Sequence, residues 1–152
     1  MDVFTHIKKE HEEFRKLMDE IASSKSNKKE ELFKELYVKL AGHHGAEEQL
    51  IFPPVLKAVK EEDKEVVREM IEEHTLGKYQ LSVIEKTSVN DDSWDAKFMV
   101  LKEVIEHHME EEEKEFFSIA RKVVPKDKAE ELLDEFESIM KKKEMEKEKV
   151  LK

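Results

Sequence analysis

The sequence predicts an all-α protein, an up-down-up-down four-helix bundle with an additional C-terminal helix. Apolar residues recur with the helical period along most of the 152 residues, and the good helix formers Lys, Glu and Leu dominate the composition. Only three glycines and three prolines are present, so the chain has few of the turn residues that a many-stranded sheet requires. Long helical segments joined by short polar loops are typical of a helix bundle.

The first half of the chain contains two long helical segments. The first is predicted over residues 2–23, where apolar residues recur on one face. A polar loop follows, in which Asn27 is the expected N-cap of a second helix over residues 28–52. The double proline at positions 53–54 should end or kink this helix, because proline lacks the backbone donor. A short continuation to about residue 62 is expected after it.

The second half repeats this arrangement and adds a fifth helix. The third helix is predicted over residues 63–87 and the fourth over residues 93–124, where Pro125 ends it. The fifth helix is predicted from residue 126 onward. Beyond Met140 the sequence has almost no apolar face, so a frayed or solvent-exposed end is expected.

Length and charge narrow the class of protein. We interpret residues 1–152 as a single bundle domain, with its core in about residues 3–120 and the extra helix in residues 126–152. The formal net charge of −10 argues against a nucleic-acid partner and against anionic membrane surfaces. The chain has no cysteine, which excludes disulfides and thiolate metal sites. No apolar run is long enough to span a membrane, and a cytoplasmic protein of unknown oligomeric state is expected.

The two halves of the chain also resemble each other. The stretch KEHEEFRKLMDEI (9–21) aligns with EEHTLGKYQLSVI (72–84) at the histidine, and LAGHHGAEEQLIFPP (40–54) resembles VIEHHMEEEEKEFF (104–117). Two similar helical hairpins predict a bundle with pseudo-twofold symmetry.

Each of the four bundle helices carries one histidine on its apolar face. Two of these histidines are followed, one helical turn later, by a glutamate on the same face. The six residues are His11, His43, Glu47, His74, His108 and Glu112. Buried carboxylates without partners are costly, and the apolar rows contain no Lys or Arg that would neutralise them. One or two divalent cations would do so, and the pattern therefore predicts a metal site.

The doubled histidines leave the helical register open at two places. Helical phase and the internal repeat favour His43 over His44 and His108 over His107 as the inward residues. The pair of His44 and Glu48, which share a helical row, is the alternative on the second helix. For His44 and His107 we expect surface positions, while hydrogen bonding near the site and alternate ligation remain open.

The donor set indicates which metals the site would take. Imidazoles and carboxylates without thiolate suit iron, manganese or zinc. Two ions bridged by Glu47 and Glu112 would keep positions open for small ligands. The Glu-x-x-His motif of ferritin-like di-iron bundles is absent, because each glutamate here follows its histidine. We predict two iron ions, with zinc or manganese as alternatives.

This pattern resembles the hemerythrin-like (HHE cation-binding) domains over about residues 3–120. The resemblance rests on single histidines in the first and third helices, and on His-x-x-x-Glu in the second, before IFP, and in the fourth. It implies an up-down four-helix bundle around a non-haem di-iron centre. Oxygen-carrying members have a second histidine on the third helix, where this chain has Lys78, and an aspartate on the fourth, where it has Glu112.

The resemblance also implies a function. We expect a metal-binding protein that binds or senses a small ligand such as dioxygen or nitric oxide. Two alternatives remain: a di-iron enzyme that acts on peroxide, dioxygen or nitric oxide in stress protection, and a protein of iron storage or sensing.

The three glycines offer a further signal, since all of them lie within three residues of a proposed ligand: Gly42, Gly45 and Gly77. A glycine inside a helix costs about 1 kcal/mol relative to alanine. We expect these glycines to leave space beside the metals for a small ligand, with close packing of helices as the alternative.

Overall fold

The computed structural model describes residues 1–151 and is helical along almost all of that range. Its helices are α1 (Val3–Ser23), α2 (Ser26–Leu50), α3 (Phe52–Ala58), α4 (Lys64–Glu85), α5 (Trp94–Glu111), α6 (Phe117–Val123) and α7 (Lys126–Val150). A 3-10 turn (Glu61–Asp63) precedes α4, and a π-helical turn (Glu112–Phe116) connects α5 to α6. Lys152, the last residue of the predicted fifth helix, lies outside the described residues.

Helices α1, α2, α4 and α5 form a four-helix bundle. Each contacts two neighbours, in the cyclic order α1, α2, α4, α5. The start of α1 and the end of α2 share one apolar cluster, whereas the end of α1 and the start of α2 share another, so consecutive helices are antiparallel. α7 packs outside this bundle, along α2 and α1. The predicted up-down-up-down bundle with an additional C-terminal helix is confirmed.

Local signals explain most of the helix ends. Asp2 caps α1, because its carboxylate accepts the backbone N–H of Thr5 at 2.8 Å. The double proline at positions 53–54 ends α2 and then lies in the first turn of α3, where a missing N–H has no helical partner to lose. Asn27 is not the N-cap that the sequence predicted. Helix α2 already begins at Ser26, and Lys25 occupies the cap position.

The core consists of two apolar clusters, one at each end of the bundle. The first includes Phe4, Phe52 and Phe116, and the second includes Phe33 and Trp94. Each large apolar side chain contributes roughly 1.5–3 kcal/mol on burial. Between the clusters lies a layer of seven buried polar side chains: His11, His43, His44, Glu47, His74, His108 and Glu112. The apolar ends therefore provide the stability that such a polar layer does not.

The close approach of α7 to α2 explains two of the three glycines. A Cβ atom at Gly42 would lie 2.7 Å from the carbonyl oxygen of Met140, and one at Gly45 would lie 3.0 Å from Cγ of Lys143. Side chains and backbone of α7 thus lie directly against both residues, where a larger side chain would stand. The expectation that these glycines leave room for a small ligand is therefore wrong, and close helix packing accounts for them instead.

The C-terminal part of α7 is not frayed. It continues as helix to Val150 and exposes most of its side chains beyond Met140 to solvent. Lys143, Glu144 and Lys147 are half-buried against α2. Within residues 1–151, no helix has an apolar stretch that would cross a membrane.

Candidate metal centre

The polar layer brings all six predicted residues together, and it adds His44. Each of the seven side chains is at most 3% exposed. They come from all four helices of the bundle and from the π-helical turn that follows α5. The six residues that helical phase selected therefore converge in space, which is the arrangement that a shared metal site requires.

The surface position expected for His44 is wrong, whereas that expected for His107 is correct. His44 is 3% exposed, and the side chain of His107 is 66% exposed. The difference follows from the neighbours of each helix. α2 contacts α1, α4 and α7, so two adjacent residues about 100° apart on it are both covered. α5 makes its main helix contacts with α1 and α4 and has no counterpart of the extensive α7 contact, and one of its two histidines faces solvent.

The ligand atoms form two groups. In the first, atoms of His44, Glu47, His74 and His108 all lie within 4.8 Å of one another. In the second, atoms of His11, His43 and Glu112 do the same. The number of donors in each group, four or three, suits the coordination of one metal ion. Together the two groups contain five imidazoles and two carboxylates.

Each central carboxylate contacts histidines of both groups. Oε1 of Glu47 lies 3.3 Å from Nε2 of His74 and 3.4 Å from Nε2 of His43. Oε1 of Glu112 lies 3.1 Å from Nε2 of His11 and 3.9 Å from Nε2 of His108. The two carboxylates thus connect the two groups.

A second layer of glutamates holds four of the five rings by Nδ1. His11 donates to Glu113 at 2.6 Å, and His43 donates to Glu10 at 2.6 Å. His74 donates to Glu48 at 2.8 Å, and His108 donates to Glu73 at 2.7 Å. Such bonds fix the tautomer of a metal-binding histidine, because they leave the Nε2 lone pair directed at the ion. In all four rings, the Nε2 atom faces a central carboxylate.

These four outer glutamates are ionised acceptors. Burial is the largest single effect and raises the pKa of each carboxyl, but the hydrogen bond from the histidine ring acts together with other nearby hydrogen bonds and charges and holds the pKa below its usual range. The sequence pattern selected none of Glu10, Glu73 and Glu113 as site residues. It offered Glu48 only in the alternative pair with His44. The internal repeat contained the signal, since a glutamate precedes the first histidine and follows the central glutamate in both halves.

The centre lacks partners for its own charges. Both carboxylate oxygens of Glu47 and of Glu112 are buried without a hydrogen bond. Burial and the negative charge of Glu112 raise the pKa of Glu47 well above its usual value. In addition, Nε2 of His74 and Nε2 of His108 lie 3.0 Å apart, although both rings donate through Nδ1 and so present lone pairs to each other. Two cations would neutralise the carboxylates and would accept these lone pairs, so the donor set fits metal ions.

The helical segments that carry the two central carboxylates are both interrupted near the centre. α2 ends just before Ile51, and α5 passes into the π-helical turn that contains Glu112. The sequence predicted an uninterrupted helix over residues 93–124 and missed this turn. π-helical turns are frequent at functional sites, where they change the direction of side chains relative to a regular helix.

Comparisons with known proteins agree with this geometry. The sequence model of a family described as Hemerythrin HHE cation binding domain matches residues 2–120. Among solved structures, the chain is similar to a Hemerythrin HHE cation binding domain-containing protein from Mycobacterium kansasii. The TM-score is 0.81 at 24% identity, over 96% of this chain and 89% of that one, and at this identity the likeness concerns the fold. No curated protein matches the chain.

Proposed function

The chain belongs to the hemerythrin HHE cation-binding family, and we propose that it holds two iron ions and binds or senses a small ligand there. Dioxygen and nitric oxide are the candidate ligands. Metal binding itself agrees with the family and with the cluster of histidines and glutamates. The number of ions, their identity and the ligand are the parts that we propose.

The observation that carries this proposal is the position of the two central carboxylates. Glu47 and Glu112 each reach one histidine of either ligand group, at 3.1–3.9 Å. A single ion would need only one of the groups. Two ions would use both groups, and the shared carboxylates would bridge them.

The two groups differ in how many positions they leave open. One group offers three histidines and Glu47, which nearly surrounds an ion. The other offers His11, His43 and Glu112, so with both carboxylates shared its ion would have one histidine fewer than its neighbour and would keep more positions open for a ligand. We therefore propose that the small ligand binds on the side of His11 and His43.

Iron, when bound, would supply the open coordination positions and the electrons that dioxygen or nitric oxide requires. The protein's own side chains hold and shield the site. Four glutamates fix the orientation of the histidine rings. Phe14 packs edge-on against His43 with ring centroids 5.1 Å apart, and Phe52 packs against His74 at 5.0 Å. These rings exclude water from the face on which the imidazoles converge.

Anaerobic reconstitution with iron(II), followed by metal analysis, tests the proposal. We expect two iron ions per chain and a change of the optical spectrum on titration with dioxygen or nitric oxide. Glu115→Gln is the matched control, because Glu115 is exposed on the π-helical turn and belongs to neither ligand group. One ion per chain or fewer would contradict the di-iron centre. If the chain retained zinc or manganese more tightly than iron, the assignment of the metal as iron would be wrong. Rapid multiple turnover with peroxide would favour the alternative function, that of a di-iron enzyme.

A further inference from the structure

His44 differs from the other four histidines of the centre in how its ring is held. Those four rings each donate Nδ1–H to a glutamate. Within residues 1–151, the structure shows no carboxylate oxygen within 4.0 Å of a His44 ring nitrogen. Stacking on His74, with ring centroids 3.9 Å apart, is its main contact inside the centre. His44 therefore lacks the bond that would fix its orientation toward an ion.

His44 is also the histidine of the centre that borders a cavity. This cavity has a volume of about 530 Å³ and lies between α2, α4 and α7. Tyr37, Ala41 and Gly45 line it on α2, Lys78 lines it on α4, and other side chains of α4 and α7 complete its walls. Its volume falls in the range of sites for small molecules, roughly 300–1,000 Å³. The ring of His44 thus has space on one side that the rings of the other ligands do not share.

The internal repeat shows that this arrangement belongs to one half alone. The residue equivalent to His44 in the second half is Met109, which is 1% exposed and packs in the apolar core. His44 packs against the anchored histidine of the second half in the way that Phe14 packs against that of the first half. It lies edge-on to His108 at 5.7 Å, much as Phe14 lies edge-on to His43 at 5.1 Å, and the residue equivalent to Phe14 is Gly77.

We propose that His44 is the exchangeable ligand of the centre, and that a small donor of the size of imidazole enters through this cavity and takes its place. The inference rests on the proposed metal centre. A histidine that is anchored through Nδ1 leaves its ion only when two bonds break, whereas His44 loses one. The cavity supplies the volume into which its ring turns. One of the two ions would thereby gain a second route for ligands, apart from the open side at His11 and His43.

The test uses the full-length, iron-loaded chain and imidazole as the probe. We expect His44→Ala to retain two iron ions with an altered optical spectrum, and added imidazole to restore the wild-type spectrum in a saturable manner. The matched control is His108→Ala, whose ring is anchored by Glu73 and does not line the cavity. That variant should lose iron, and imidazole should not restore it.

A second variant examines the route. Ala41→Leu, or Ala41→Trp if the smaller change has no effect, places bulk in the cavity one helical turn before His44. In the His44→Ala background it should weaken or slow imidazole binding at least tenfold, with circular dichroism and iron content unchanged.

Three results would overturn the inference while leaving the metal centre in place. His44→Ala could lose an ion that imidazole does not restore, imidazole could restore His108→Ala equally well, or filling the cavity could have no effect. A wild-type chain that fails to bind two ions would instead contradict the proposed function itself.

Discussion

The two halves of the bundle, α1 with α2 and α4 with α5, agree at the centre and differ at the periphery. In each half, a glutamate just before the first histidine anchors the second histidine: Glu10 anchors His43, and Glu73 anchors His108. The glutamate after each central carboxylate anchors the first histidine of the opposite half. Each half thus supplies two histidines, one central carboxylate and two anchoring glutamates, and packing of the two halves against each other completes the centre.

The differences between the halves all concern what covers the centre. α7 packs against α2, and the equivalent surface of α5 is open. Where α2 has Gly42 beneath α7, α5 has the exposed His107, and where α2 has His44 beside a cavity, α5 has the packed Met109. The comparison teaches that symmetric residues form most of the centre, whereas the asymmetric ones determine what covers it and add His44 to one ligand group.

The largest effect is expected from the central carboxylates, which test whether the halves contribute equally. Glu47→Gln and Glu112→Gln should each abolish binding of both ions, because each carboxylate contacts both ligand groups. Metal-free Glu47→Gln should be at least as stable as metal-free wild type, because burial and the charge of Glu112 raise the pKa of Glu47. Metal-free Glu112→Gln should be less stable, because the close contacts with Glu47 and His11 outweigh burial and hold the pKa of Glu112 well below its usual value. Metal analysis and thermal unfolding measure the two effects. If either variant retained one ion, that carboxylate would not be a bridge.

The outer glutamates should give the next largest effect. Glu48 and Glu113 are equivalent, and their hydrogen bonds to His74 and His11 have similar lengths of 2.8 and 2.6 Å. Glu48→Gln and Glu113→Gln should therefore each weaken metal binding about 10–100-fold. Competition with a chelator of known affinity measures the change. Unequal losses would show that the halves differ in their outer layer as well, and Glu115→Gln on the exposed side of the π-helical turn is the control.

The sequence predicted the symmetric part of the molecule well, because that part depends on local periodicity. The inward positions of His11, His43, His74 and His108 follow from counting residues along isolated helices. The asymmetric part depends on contacts that no single helix encodes. His44 is buried because α4 and α7 cover a second face of α2, and α7 was expected to end in a frayed or exposed segment. Gly42 and Gly45 were misread for the same reason, because α7 packs against both.

A substitution of Gly42 tests the position of α7, because it adds a carbon atom to the face of α2 that α7 covers. Gly42→Ala should destabilise the chain by about 1–2 kcal/mol, because overpacking against the Met140 carbonyl oxygen exceeds the gain in helix propensity. Denaturant unfolding of the metal-free protein measures this change. We also propose that the chain is a single domain, which predicts one cooperative transition for wild type. At the equivalent exposed position, His107→Ala should change stability by less than about 0.5 kcal/mol. A stabilised Gly42→Ala variant would contradict the close packing of α7.

The smallest effect is expected from a glycine-to-alanine substitution in the second half, at Gly77. A Cβ atom at Gly77 would lie 3.2 Å from Cδ1 of Ile105, which is the far end of a flexible side chain and can shift by a few tenths of an ångström. The gain in helix propensity should then prevail, so Gly77→Ala should stabilise the chain by up to about 1 kcal/mol. Metal content should stay the same, since the added carbon meets an apolar side chain rather than a ligand. A loss of iron in this variant would contradict the prediction and would show that the shift of Ile105 displaces a ligand of the centre.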